Sequence, residues 1–232
     1  MGNAQKELNE LEVIEDSRVA VVAPFDSLWE PLPEQGLRLK RLLDLVGALF
    51  LLLVSAPFMA LVAILVKLDS PGPAIYRALR VGKNGRLFIC YKFRTMVMGA
   101  DSLKKNLLHL NERGGLLFKI SNDPRVTPLG RFLRKYSVDE LPQFFNVILG
   151  EMSLVGPRPP LLEEYEKYSA EQKRRMLVEP GLTGLWQIRG RKDPSFENYM
   201  ALDLQYIDTR NLWLDVRILL KTIPAVFRGT GQ

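Results

Sequence analysis

From Leu45 to Val66 the chain runs for 22 residues without a charge, LVGALFLLLVSAPFMALVAILV. At about 1.5 Å per residue a helix of that length reaches roughly 33 Å, enough for a hydrocarbon core of about 30 Å. A straight transmembrane helix is the plain reading, and a buried core helix is disfavoured by the length. Two features favour a third reading, a re-entrant hairpin that enters and leaves by one face. Pro57 lies near the middle with Ser55 beside it, and a proline removes a backbone donor and bends the helix. A neighbouring hydroxyl is expected to satisfy a carbonyl freed inside lipid. Basic residues also flank both sides: Arg38, Lys40 and Arg41 before the run, and Lys67, Arg77, Arg80, Lys83 and Arg86 after it. Positive residues prefer the cytoplasmic side, and only a hairpin keeps both flanks there. Asp44, at the mouth of the run, is expected to pair with Lys40 or Arg41 across one turn.

Beyond residue 68 the pattern is that of a soluble body without internal repeats. Ile75–Val81 and Arg86–Arg94 flank Asn84-Gly85, a strong hairpin-turn signal. In the second strand Leu87, Ile89, Tyr91 and Phe93 alternate with Arg86, Phe88, Cys90, Lys92 and Arg94, which predicts one apolar face and one ending in bases. Helices are predicted at 97–112, ending before Gly114-Gly115, and at 127–136, 139–149, 160–177, 195–208 and 212–227. The last carries Leu212, Trp213, Val216, Leu219, Leu220, Ile223 and Val226 on a broad face, read as core, with a membrane-surface helix as the alternative. His109, in a leucine-rich stretch, is expected to pack, and Cys90 to be a buried strand residue.

Charge sharpens this picture. Residues 1–37 hold two bases and eight acids, a net of −6, and read as a loosely packed acidic tail. The remaining residues carry thirty bases and eighteen acids, a net of +12. The overall +6 and the mean hydropathy of −0.01 are averages over unlike parts. The late apolar run and the absence of a basic start argue against a cleaved signal peptide. The predicted division is therefore 1–37 tail, 38–67 membrane hairpin and 68–232 catalytic domain. One Cys and one His exclude an intrachain disulfide framework, and also a three-histidine or four-cysteine zinc site within one chain.

The chemistry concentrates in RFLRKYSVDELPQFFNV, 131–147. Ser137 and Glu140 have capping-box spacing, which would make Glu140 structural. Pro142 prefers the first helical position, however, which puts Asp139-Glu140 in the loop just ahead of the helix. Arg131, Arg134 and Lys135 approach from the preceding helix, and are expected to keep the carboxylates ionised and to meet phosphate oxygens. An ionised carboxylate can attack phosphorus, or can hold Mg²⁺, which uses one or two carboxylates plus phosphate oxygens. GEMSLVGPRPP, 150–160, brackets Arg158 with prolines. EPGLTGLWQIRGR, 179–191, mixes three glycines with Trp186, Arg189 and Arg191. With Lys92, Arg94 and Gln143, these predict a basic cleft for a nucleoside diphosphate. There is no GxxxxGK[ST] loop and no GxGxxG after a strand, which disfavours ordinary NTPase or Rossmann chemistry.

These segments resemble the bacterial sugar transferase family, the monotopic phosphoglycosyl transferases. The resemblance runs from about Leu39 to Arg228, through KRLLD (40–44), YKFRTM (91–96), NDPRVTPLGRFLRKYSVDELPQFFNV (122–147), GEMSLVGPRP (150–159) and PGLTGLWQIRGR (180–191). It implies an α+β, mostly helical monotopic membrane protein, with an N-terminal re-entrant kinked helix and a small catalytic domain containing the β-hairpin. It also implies transfer of sugar-1-phosphate from a UDP-sugar to polyprenyl (undecaprenyl) phosphate with release of UMP, the first membrane step of surface polysaccharide or glycoconjugate assembly. Carried over, Asp139 is the nucleophile that forms a covalent phosphosugar intermediate, Glu140 its catalytic partner, and Mg²⁺ is held near Asp139.

Many members break the helix at Ser-Pro; here Ala56 precedes Pro57 and Ser55 lies one position earlier, while GLWQ favours a hexose. Larger relatives carry extra N-terminal spans, so the chain is expected to be a minimal catalytic form. The expected partners are the UDP-sugar, polyprenyl phosphate and membrane lipids; a homodimer is compatible and nucleic acid is not expected. The expected location is the cytoplasmic face of the bacterial inner membrane. The rival reading is a non-enzymatic, membrane-anchored basic module for nucleic acid or anionic lipid. Carboxylates amid the arginines weigh against it, and a single apolar run is too little for a polytopic transferase.

Overall fold

A computed structural model describes residues 37–112, 118, 120–190, 193 and 195–229. The acidic tail up to Gly36, the Gly114-Gly115 stop and Arg191 lie outside the described residues. The apolar run forms α1, Leu37–Asp69, one continuous helix of 33 residues with Pro57 inside it. It is long and apolar enough to cross a membrane, by length and composition. Most of its large side chains face outward, among them Phe50, Leu53, Val54, Leu61 and Ile64, while Ala48, Val62 and Val66 are buried against the body.

Both ends of α1 are tied to the same domain. At the start, Arg41 donates to the carbonyls of Val147 (2.6 Å) and Ile148 (2.9 Å). Lys40 donates to Asp215 (2.8 Å) and to the Val155 carbonyl. Asp44 accepts from the Leu154 amide at 3.0 Å, and of its two expected partners pairs with Lys40 at 3.7 Å, Arg41 being spent on the Val147 and Ile148 carbonyls. Ser55 departs from expectation. Its hydroxyl donates to the Leu51 and Leu52 carbonyls, whereas the carbonyl one turn before the missing Pro57 N–H belongs to Leu53.

The hairpin forms as predicted: β1, Ile75–Val81, pairs antiparallel with β2, Leu87–Phe93, with Val81 opposite Leu87. Asn84 (φ 55°) and Gly85 (φ 74°) take the left-handed turn positions their identities suit. Burial does not follow the single apolar face expected: Phe93 of that face is buried, and Cys90 is buried as expected, but so is Phe88 on the other side. Phe88 and Cys90 enter the main core while Leu87, Ile89 and Tyr91 are only half-buried, because the strand's inner side is the one carrying Lys92.

The predicted 97–112 helix is a short α2, Ala100–Leu103, followed by a 3₁₀ segment, Lys104–Leu110. His109 there is exposed, not packed, since the segment buries none of its residues. The body continues with α3, Pro128–Lys135, and α4, Gln143–Leu149. Residues 160–177 divide into α5, Leu162–Tyr165, α6, Ala170–Lys173, and a 3₁₀ turn, because Ser169 and Gln172 form a capping box that starts a new helix. Two three-residue strands that the sequence reading did not predict, β3 (Ser153–Val155) and β4 (Gly181–Thr183), pair in parallel. A Cβ on Gly156 would lie 2.6 Å from the Glu179 carbonyl oxygen, so glycine lets the Arg158 loop press against β4. Then come α7, Leu185–Arg189, α8, Phe196–Thr209, and α9, Leu212–Phe227. The predicted stripe is not the core face of α9: Trp213, Val216, Leu220 and Ile223 are exposed and Leu212, Leu219 and Val226 half-buried, because the helix turns Asp215 and Ile218 inward instead.

Candidate active site

The turn carrying the acidic pair is set by its neighbours. Thr127 caps α3 by accepting from the Gly130 amide, and α3 ends at Tyr136. Ser137 then takes a left-handed conformation, φ 56°, which reverses the chain into the 3₁₀ turn Val138–Glu140. The Glu140 amide donates to the Ser137 carbonyl and the serine hydroxyl makes no cap, so the capping-box reading fails. Pro142 caps α4, and the Asp139-Glu140 pair precedes that helix as its position predicted.

Asn146, on α4, locks this turn to β2. It accepts from the Tyr91 amide (3.0 Å) and donates to the Ile89 carbonyl (2.6 Å), gripping the strand on both sides of Cys90. Lys92 thereby faces the acidic pair. Its ammonium donates to Glu140 at 2.6 Å, and the Arg158 guanidinium lies 3.8 Å from the same oxygen. Asp139 is 8% exposed and meets no hydrogen-bond donor among the described residues. Burial pushes its carboxyl above the usual carboxylate range; Lys92, Arg134 and Arg158 pull the other way and Glu140 adds to the rise. Of the three bases expected to keep the pair ionised, Arg134 does favour the charged form of Asp139, but burial is the larger influence on it. Arg134 stands near Asp139 through its hydrogen bond to Thr95 Oγ1, 2.8 Å.

Lys92, Glu140, Gln143 and Arg158 line one cleft together with Arg80 and Gln187. Two arginines expected there lie elsewhere. Arg94 is buried and donates to the carbonyls of Val66, Ser70, Pro71 and Pro73, where α1 ends and the chain turns toward the hairpin. It satisfies carbonyls that a helix C-terminus leaves open, so its donors are spent on backbone. Arg189 lines a separate groove with Gln205, Trp213 and Arg217.

The sequence reading missed the residues behind the cleft. Arg175, fully buried, donates to the Arg158 carbonyl (2.7 Å), to the hydroxyls of Tyr199 (2.6 Å) and Tyr168 (2.9 Å), and to Asp203. Arg80 and Gln187 were also overlooked. The first was counted only as a flanking charge, and the second stood in a segment read for its arginines.

The site is thus an acidic pair held between cations, on a domain that carries a helix long and apolar enough to cross a membrane. Comparison with known proteins shows the family. The family model described as bacterial sugar transferase matches residues 35–229, and the chain belongs to that family. It is 49% identical over 193 residues to a galactosyl transferase, CpsE, of Streptococcus agalactiae, covering 83% of this chain and 43% of the relative. It is 44% identical over 197 residues to the undecaprenyl-phosphate galactose phosphotransferase of Salmonella typhimurium, covering 83% and 41%. To the UDP-glucose:undecaprenyl-phosphate glucose-1-phosphate transferase of Caulobacter vibrioides it is 41% identical over 206 residues, covering 84% and 73%. The chain thus spans less than half the length of the first two of these curated relatives.

Proposed function

We propose that this chain transfers sugar-1-phosphate from a UDP-sugar, a hexose by preference, to polyprenyl phosphate and releases UMP. The observation that carries this reading is Asp139: a buried carboxylate without a hydrogen-bond donor, beside a cleft that presents Lys92 and Arg158. Anionic diphosphate fits those cations. A carboxylate oxygen of Asp139 attacks the phosphorus that bears the sugar, the bond to the UMP oxygen breaks, and UMP leaves with that electron pair. An oxygen of the lipid phosphate then attacks the same phosphorus, and the acyl-phosphate bond breaks to restore the Asp139 carboxylate. One site thus serves a soluble donor and a membrane acceptor in turn.

Glu140, paired with Lys92, is the neighbouring acid–base group. Asp139 and the adjacent Glu140 offer the one or two carboxylates that Mg²⁺ uses beside phosphate oxygens, which supports a site for it here. Asp139 would hold it, and bound there it would neutralise the diphosphate.

The attachment of both ends of α1 to one domain supports a helix that enters and leaves by one face. In this reading the domain lies on the cytoplasmic side of the inner membrane. The relatives' names include undecaprenyl-phosphate sugar transferases and exopolysaccharide production proteins, which favours a priming step in surface-glycan assembly. The test is UMP release across a panel of UDP-sugars with polyprenyl phosphate. Multiple turnovers of UMP release without lipid phosphate, beyond the one equivalent per chain that the first step gives, or no release with any donor, overturn the proposal.

A further inference from the structure

Two buried polar atoms in the cleft have no hydrogen-bond partner among the described residues: Nε of Arg80 and Oε1 of Gln187. Such atoms are costly to bury, and in a cleft they mark where a ligand completes the bonding. The two differ in kind. Arg80 already donates through Nη1 to the Pro159 carbonyl, and its Nε, like Lys92 and Arg158, can donate to a phosphate oxygen. Gln187 presents an acceptor, and phosphate diesters, which carry no hydrogen at neutral pH, offer it nothing. It needs an N–H or O–H.

The backbone keeps room for that oxygen. Gly184 precedes α7, and a Cβ there would lie 3.1 Å from Gln187 Oε1 and 2.5 Å from the Gly156 carbonyl oxygen. Its glycine therefore leaves a gap between the Arg158 loop and the carboxamide.

We propose that Gln187 is a specificity-determining residue that accepts a hydrogen bond from the neutral part of the donor substrate, either the pyrimidine N–H or a sugar hydroxyl. This rests on the reading of the site as a UDP-sugar site. The cations then take the diphosphate and Gln187 reads what is attached to it. A site with an acceptor in place discriminates against a ligand lacking the matching hydrogen, because the acceptor stays buried and unpaired.

The test uses the full chain in detergent or lipid nanodiscs. Gln187→Met keeps the length and removes the acceptor. It should raise KM for the UDP-sugar about 10-fold with kcat within about twofold, the size of one hydrogen bond. Titration of wild type and variant with UMP separates the sources: weaker UMP binding assigns the hydrogen to the nucleoside, and unchanged UMP binding with a raised donor KM assigns it to the sugar. An unchanged KM with a lowered Tm overturns the proposal and leaves Gln187 with a structural role. If Gln187→Met does not fold, wild type decides with donors methylated at pyrimidine N3 or lacking single sugar hydroxyls. At least one must lose about 10-fold in kcat/KM, and uniform acceptance sinks the idea. Wild type that releases no UMP from any UDP-sugar fails the underlying function; wild type that does so with an indifferent Gln187 fails this inference alone.

Discussion

Arg175 holds Arg158 from behind. Its Nη2 donates to the Arg158 carbonyl at 2.7 Å, while the Arg158 guanidinium lies 3.8 Å from Glu140 on the other side of the loop. Arg175 is 0% exposed and Asp203, its counter-ion, 1%, so neither reaches substrate. Arg175→Met leaves Asp203 buried and alone and should cost about 3–5 kcal/mol. Adding Asp203→Leu should recover most of that stability, since the pair is then replaced by apolar groups. The Arg158 carbonyl still lacks its donor, so UMP release in the double variant should remain about 10-fold down. Denaturant melts and turnover read the two effects separately. Full activity in the double variant would show that Arg175 only stabilises.

Asp139→Asn should abolish turnover and covalent labelling by donor, a loss of at least about 10³-fold. It should also raise Tm at pH 7. The folded-state pKa of Asp139 lies above its unfolded value because burial disfavours the charged form. As pH rises from the unfolded pKa through the folded one, the unfolded chain loses its proton first and stability falls. Above that window the penalty persists, and Asn removes it. By the same sign, the acid limb of kcat/KM should lie above the ordinary aspartate value of about 3.9. An acid limb at or below that value counts against burial as the controlling force.

Glu140→Gln should lower kcat about 10²-fold while shifting stability by no more than about 1 kcal/mol. Its partner Lys92 is part-exposed, and its role as a helix cap is already excluded by the turn. A large fall in Tm with normal kcat would return Glu140 to a structural role.

Arg94→Lys should destabilise by about 1–3 kcal/mol, because one ammonium cannot serve carbonyls that a guanidinium fork reaches together. KM for the donor should stay within about twofold. A raised KM without loss of stability would restore Arg94 to the substrate cleft.

An N-terminal tag should be accessible from the same side of the membrane as residues in the catalytic domain, as measured by labelling of intact and permeabilised cells. Opposite sides would establish a straight span.

Local signals were the legible part of this fold. Asn84-Gly85 located the hairpin, and Pro142 placed the acidic pair ahead of its helix. Residues 212–227 matched α9 to the residue, the stripe running to Val226 and Asn211 capping the start. What escaped depends on contacts far apart in sequence. Strands of three residues have no measurable period, so β3 and β4 left no pattern. Arg94 has the look of any cleft arginine until the carbonyls 21 to 28 positions upstream are brought to it. Gln187 carries no charge, and that its buried Oε1 has no partner among the described residues shows only in the folded chain.

Near its end strand β2 sets Lys92 at the acidic pair, and after Phe93 the chain passes directly to Arg94 at the exit of the apolar helix. Two residues of extended chain span about 7 Å, with no hinge between them. In the proposed function the height of the Asp139 carboxylate above the bilayer is therefore set by a stretch of backbone about as long as a lipid headgroup region is deep. In the proposed cycle the site cannot sink to collect one substrate or rise to collect the other. Both phosphates must come to a single altitude, and an acceptor is selected by how far its headgroup reaches out of the membrane as well as by what it is made of.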